Sequence, residues 1–173
     1  DLNEYLFKEN LVHGIEVVNG QWFSDEAFQI GLDYNLTLLG TSDIHGLTEW
    51  DYLNQPEGHR PLTLVLATDR TEESIKEALF DGRTVIWYKN DLIGLEENLL
   101  PLLEKSLEIT DITYKGRTIG NVELKNYTDV RFMLRVVDKS LIENSSNIIF
   151  VEPNESTIFE LKYAKGNSIS VNV

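Results

Sequence analysis

The stretch that most constrains this chain is Leu36 to Gly46, where a short apolar run leads directly into an Asp-Ile-His. Leu36, Thr37, Leu38 and Leu39 have the nearly continuous apolar character of a strand buried on both faces, and Gly40 and Gly46 bracket the polar residues that follow. Asp43 and His45 therefore fall at the carboxyl end of a buried strand. If the chain stays extended, residues two apart project to the same side, so a carboxylate oxygen and an imidazole nitrogen can converge on one cation. That donor mixture suits zinc, manganese or iron better than calcium, which takes oxygen ligands. Taken alone, an Asp-x-His is also what an ordinary turn with a hydrogen-bonded loop histidine looks like.

What precedes this stretch gives it a setting. Ile15 to Asn19 reads as a strand by its β-branched content, and Asn19-Gly20 stops it. Ser24 suits a helix N-cap, Asp25 and Glu26 place negative charge in the first turn, and Ala27, Phe28 and Leu32 form an apolar stripe at helical spacing. Asn35 fits a left-handed C-cap. Gly14 to Asp43 is thus a strand, a helix and a strand, a βαβ unit whose two strands end on the same side, where ligands bind in such folds. Asn19, Asp43 and His45 are expected there together. Glu16, among apolar neighbours, reads more readily as a paired or solvent-facing carboxylate than as a ligand.

Around this unit, residues 1–12 predict a brief helix with Tyr5, Leu6 and Phe7 packing inward and a turn near Asn10. Residues 47–61 form a long connection with aromatic anchors, and within it Arg60 offers a planar fork of donors for a phosphate. His59 beside it is a further possible ligand, and His13, ahead of the first strand, is structural. Leu62 to Ala67 is a strand, Thr71 caps a helix with Ile75, Ala78 and Leu79 on one face, Asp81-Gly82 ends it, and Arg83 to Tyr88 is another strand. Strand and helix alternate up to Gly94. Glu96 to Ser106 predicts a short helix or helical linker, because Pro101 is tolerated in a first turn but not deep inside a helix. After it come short alternating segments at 107–114, 120–126, 130–138, 148–151, 157–163 and 169–173, the pattern of half-buried antiparallel strands. The fold class is α/β followed by all-β: an α/β domain over residues 1–95, a linker over 96–106 and a small antiparallel β-sandwich over 107–173.

Charge limits the partners. The net charge is −14, with 6 Lys plus Arg against 17 Asp plus Glu in residues 1–95 and 9 against 12 in residues 96–173. The acid concentrates in the half that carries the Asp-Ile-His, a field that repels polyanions, so no nucleic-acid partner is expected. No apolar run reaches membrane-spanning length, and no membrane partner is expected either. The absence of cysteine removes disulfides and thiolate ligands and leaves the compartment open.

Gly-Ile-Glu-Val-Val-Asn-Gly, a helix, then Leu-Gly-Thr-Ser-Asp-Ile-His-Gly resembles the closing strands of the PHP, or polymerase and histidinol phosphatase, superfamily. The continuation through His59 to Ala67 and Arg70 to Val85 is similar to bacterial members that append a carboxyl-terminal β-domain, and the resemblance covers residues 1–95. It implies a distorted barrel holding a cluster of divalent metals, with Asp43 and His45 as two of the ligands and Arg60 orienting the phosphate of a phosphate-ester substrate; Asn19, which reads more readily as the strand's end, is the other candidate for substrate contact. The implied chemistry is hydrolysis of phosphate mono- or diesters, the metals lowering the pKa of a bridging water and neutralising phosphoryl oxygens. The family's early His-x-His and its intervening ligands have no counterpart in this sequence, so the chain reads as the last part of a partial (β/α) barrel, inactive in isolation. A barrel edge left bare by that truncation predicts self-association or burial against the β-domain. The competing reading is a non-enzymatic binding module in which the β-sandwich does the work.

Overall fold

A computed structural model describes residues 2–52, 59–89, 91–116, 118–142 and 147–162. The expected strand at 169–173 lies outside the described residues. The chain divides into two compact units, Asp1–Leu100 and Pro101–Val173. Among the described residues no helix is long and apolar enough to cross a membrane.

In the first unit, α1 (Leu2–Lys8) leads through a left-handed Asn10 into β1 (Gly14–Asn19), β2 (Trp22–Phe23), α2 (Asp25–Asp33), β3 (Thr37–Thr41) and α3 (Thr48–Tyr52). Then come β4 (Leu62–Val65), α4 (Glu72–Phe80), β5 (Thr84–Tyr88) and β6 (Asp91–Gly94). β1 and β3 pair in parallel across α2, with β2 antiparallel on the other side of β1. β4, β5 and β6 form a separate sheet that is antiparallel throughout, so the helix between β4 and β5 returns the chain in the opposite sense. Local signals set the helix ends as expected: the Ser24 hydroxyl accepts from the Ala27 amide, Thr71 does the same for Ser74, and Gly82 adopts a φ of +70° after α4. Three residues expected to pack inward do not: Tyr5, Leu32 and Ile75 are exposed, and α1 has no buried residue while α2 buries Gly31 and α4 buries Ser74 and Ala78. Phe7 stacks against Tyr34 instead, and Gly31 and Ala78 are the close-contact positions of α2 and α4.

β3 does not join the β4–β6 sheet edge to edge. Thr63, Thr84, Ile86 and Tyr88 share one face of that sheet by register, and β3 lies across it. The Thr84 hydroxyl donates to the Leu38 carbonyl at 2.8 Å, and the Thr63 hydroxyl accepts from the Gly40 amide at 2.9 Å while donating to the Gly40 carbonyl at 2.8 Å. The approach requires glycine at 40, since a Cβ there would collide with Cγ2 of Ile86. Val17, Val18, Leu38, Ile86 and Tyr88 form the core, with Ile15, Phe28 and Ile93 against it.

α5 (Glu96–Ser106) runs through Pro101 as one helix. The proline removes the amide that would reach the Glu97 carbonyl. Both residues are exposed, so water can take that donor's place.

The second unit contains β7 (Leu107–Lys115), β8 (Ile119–Asn126), β9 (Phe132–Arg135), β10 (Ile148–Val151) and β11 (Ser156–Lys162). The sheets β11-β8-β7 and β10-β9 are both antiparallel. β8 alternates buried and half-buried residues along its length, and Val122, Leu124, Leu134, Val136, Ile149, Val151 and Leu161 from the two sheets share one core. Asn126 pins the corner between them. Its amide donates to the carbonyls of Val130 at 2.7 Å and Glu152 at 3.1 Å, and its oxygen accepts from the Thr128 amide and hydroxyl at 2.9 and 2.8 Å. The residue is fully buried, so every one of those bonds replaces water.

Two substitutions test this packing by urea unfolding. Asn126→Ala removes a fully buried side chain together with its hydrogen bonds to Val130, Glu152 and Thr128 and is expected to cost about 2–3 kcal/mol. Gly40→Ala is expected to cost about 1–3 kcal/mol by overpacking, and the double variant with Ile86→Ala to cost less than the sum of the two single changes.

Candidate functional site

The parallel register of β1 and β3, Gly14 opposite Thr37 through Asn19 opposite Thr41, brings their carboxyl ends to one side. A register shift between Glu16 and Val18 alters the faces of β1. In a regular strand residues three apart point to opposite faces; the bulge instead buries Val17 and Val18 in succession and leaves Glu16 and Asn19 on the same side. Asn19 Nδ2 donates to Glu16 Oε2 at 2.8 Å, and the Thr41 hydroxyl donates to Glu16 Oε1. Glu16 is thus an exposed carboxylate tied to two neighbours, and the Asn19 amide is committed to it. The Gly20 amide donates to the Thr41 carbonyl at 2.9 Å, closing the β1–β2 turn against the end of β3.

Beyond Thr41 the chain turns. Asp43 has φ +47°, the left-handed region that a short polar side chain tolerates. The expectation of an extended Asp-Ile-His is therefore corrected: the two side chains meet through a bend at Asp43, and not by strand alternation. His45 Nε2 stands 3.4 Å from Asp43 Oδ1, with the histidine side chain 88% and the aspartate side chain 55% exposed. Tyr52, buried in α3, reaches the Ser42 carbonyl with its hydroxyl at 3.5 Å. The pair offers one oxygen and one nitrogen to a cation. Among the described residues no group of three or more His, Cys, Asp or Glu is placed to hold a metal, and a catalytic site needs three protein ligands, so these residues do not complete one.

Arg60 reaches the same end of the unit by a different route. Thr84 at the start of β5 bonds to Leu38 at the start of β3, and β4 runs antiparallel to β5, so β4 begins where β3 finishes. Arg60 precedes β4 and is exposed there. His59 is not available as a ligand. Its Nδ1 lies 2.7 Å from the Arg60 carbonyl and its Nε2 2.6 Å from the Lys89 carbonyl, with the ring 4.2 Å from that of Trp87. His13 sits at the opposite end, its carbonyl accepting from the Thr37 amide and its ring edge-on to Phe80.

An open hollow of about 500 Å³, lined by Val65, Ala67, Thr68, Asp69, Arg70 and Ile75, lies at that opposite end too, where β4 finishes. The Thr71 hydroxyl, and then its amide, hold the Asp69 carboxyl below the usual carboxylate range. Asp69 thereby shapes the entry to α4. The hollow is separate from Asp43 and His45.

No family model and no curated protein matches the chain. A solved structure does. It is the crystal structure of a two-domain protein containing a predicted PHP-like metal-dependent phosphoesterase from Bacteroides vulgatus, 32% identical, with a TM-score of 0.81. The match covers 95% of this chain and 48% of that one, so this chain spans about half the length of the structure it resembles. The likeness agrees with the resemblance carried by residues 1–95 and, at that coverage, extends into the second unit.

The bend at Asp43 makes a prediction independent of any ligand. Asp43→Gly is expected to leave stability within about 0.5 kcal/mol, whereas Asp43→Val, a β-branched residue forced into the left-handed region, is expected to lose about 1–2 kcal/mol in denaturant unfolding.

Proposed function

We propose that this chain carries one corner of a divalent metal centre in a phosphoesterase that hydrolyses phosphate mono- or diesters, with Asp43 and His45 as two of the ligands. The observation that supports the reading most directly is the 3.4 Å approach of His45 to Asp43 on an exposed bend at the carboxyl end of a parallel strand. Likeness to a protein containing a predicted PHP-like metal-dependent phosphoesterase supports it independently. The remaining ligands come from outside the described residues, and the metal is zinc, manganese or iron by the chemistry of a mixed carboxylate and imidazole pair.

In this reading Arg60, at the same end, meets the phosphate through its planar donors. Asn19 already gives its amide to Glu16, so a contact with substrate falls to its side-chain oxygen. Glu16 and Thr41 act on position only, holding the ends of β1 and β3 together beneath the loop. The isolated chain binds metal weakly and does not turn over substrate, because two donors cannot both hold a metal and leave a defined open position for water.

Calorimetric titration of manganese and zinc tests the assignment. Binding to the unaltered chain is expected to weaken in both Asp43→Ala and His45→Ala by at least the 10–100-fold that loss of an outer-shell partner costs. Binding that survives both changes removes Asp43 and His45 from the site. Robust hydrolysis of a phosphate ester by the chain alone contradicts its proposed inactivity.

A further inference from the structure

β7 is an end strand, with β8 on one side and, among the described residues, no strand on the other. It is nine residues long and exposed from Glu108 to Lys115. Its register against β8 places Leu107 opposite Asn126, Ile109 opposite Leu124, Ile112 opposite Val122 and Tyr114 opposite Gly120. All four β8 partners are buried. The apolar face of the sheet therefore continues onto β7, where its cover among the described residues thins: Ile109 and Ile112 are 53% and 41% exposed. A long edge strand of this kind is usually blunted by proline or by several lysines. β7 has no proline, and its single lysine is the last residue.

The order of these residues is self-complementary. Ile109 and Ile112 are three apart and share a face only because the register shifts between Ile109 and Asp111. They flank that bulge, and Leu107 and Tyr114 lie two residues further out on either side. A two-fold axis through Thr110 and Asp111 would set Ile109 opposite the partner's Ile112 and Leu107 opposite the partner's Tyr114. On the other face, Glu108 would meet the partner's Thr113, so no like charges stand directly opposite each other. A central bulge ordinarily deters edge pairing, but here it falls on the axis and leaves a paired arm on each side.

Charge favours this face over the first unit. Residues 1–100 carry 6 Lys plus Arg against 19 Asp plus Glu, whereas residues 101–173 carry 9 against 10. Two first units approach with a net −13 each; two second units approach with −1 each, and repulsion scarcely opposes them.

We infer that the open edge of β7 is a self-association surface, on which two copies of this chain pair β7 antiparallel to β7 about the bulge at Thr110 and Asp111. The pairing joins two three-stranded sheets into one of six and closes the edge by symmetry. It stands apart from the proposed metal centre, which lies in the other unit, and does not rest on it.

The chain contains no cysteine, so Ile109→Cys and Ile112→Cys each introduce a single thiol. Under mild oxidation the two full-length variants are expected to form a disulfide-linked dimer when mixed and not when kept apart, because the register pairs 109 with 112 and neither with itself. In sedimentation the unaltered chain is expected to dimerise at concentrations where Ile112→Lys is monomeric. The thermal midpoints of the two monomers should agree, since residue 112 is exposed. A chain monomeric up to its solubility limit overturns the inference, as does a dimer that Ile112→Lys leaves intact. Cross-linking as strong in the separate variants as in the mixture also overturns it. If a dimer forms only after residues 163–173 are removed, that segment is the occupant of the edge and the inference fails.

Discussion

Among the described residues β3 has a strand ladder on one side only, and on the other side two threonine hydroxyls meet the hydrogen-bonding demand of its buried backbone. Leu38 and Gly40 are buried, so their carbonyls and the Gly40 amide need partners. Thr84 supplies one bond, and Thr63 supplies two by donating and accepting at the same glycine. These short side chains hold β3 against the face of the β4–β6 sheet at a separation that tolerates no Cβ at position 40. The end of β3 is fixed by this seam, and with it Thr41, the Glu16 network and the bend at Asp43. The exposed Asp43–His45 pair is therefore carried by a rigid and buried support.

Much of this was legible in the sequence because burial writes a period into a strand and capping writes a residue type at a helix end. Ser24, Thr71, Asn35 and Gly82 each mark the boundary they occupy, and β1, β3, β4 and β5 follow their apolar and β-branched runs. The alternating segments of the second half correspond to β7, β8, β9, β10 and β11 with small shifts at their ends. What periodicity does not encode is pairing. The alternation of strand and helix continues from β3 to β5, yet one helix joins parallel strands and the next joins antiparallel ones. β6 carries no such signal, because Asp91 to Gly94 is only four residues long and ends in glycine.

The candidate site divides along the same line. Placing Asp43 and His45 at the end of a buried strand needed only the apolar run before them. The means by which they meet, a positive φ at Asp43, depends on a backbone state that aspartate permits but does not announce. The bulge in β1 is likewise silent, although two consecutive buried valines between a glutamate and an asparagine are its trace. His59 looked available as a ligand because a histidine's neighbours in sequence say nothing about the two carbonyls that engage its ring.

Asn126 has a consequence for the order in which the second unit is built. β7 and β8 form a hairpin through the turn at Gly116, a local pairing that closes quickly. β11 joins the same sheet from more than thirty residues away, and Asn126 finds Val130 early but Glu152 only once that long loop has closed. The entropy of that closure is met before the polar corner is complete, so the return of β10 and β11 is expected to be slower than closure of the hairpin. Until they return, β8 is as open on one side as β7 is on the other, and the nascent sheet has two free edges.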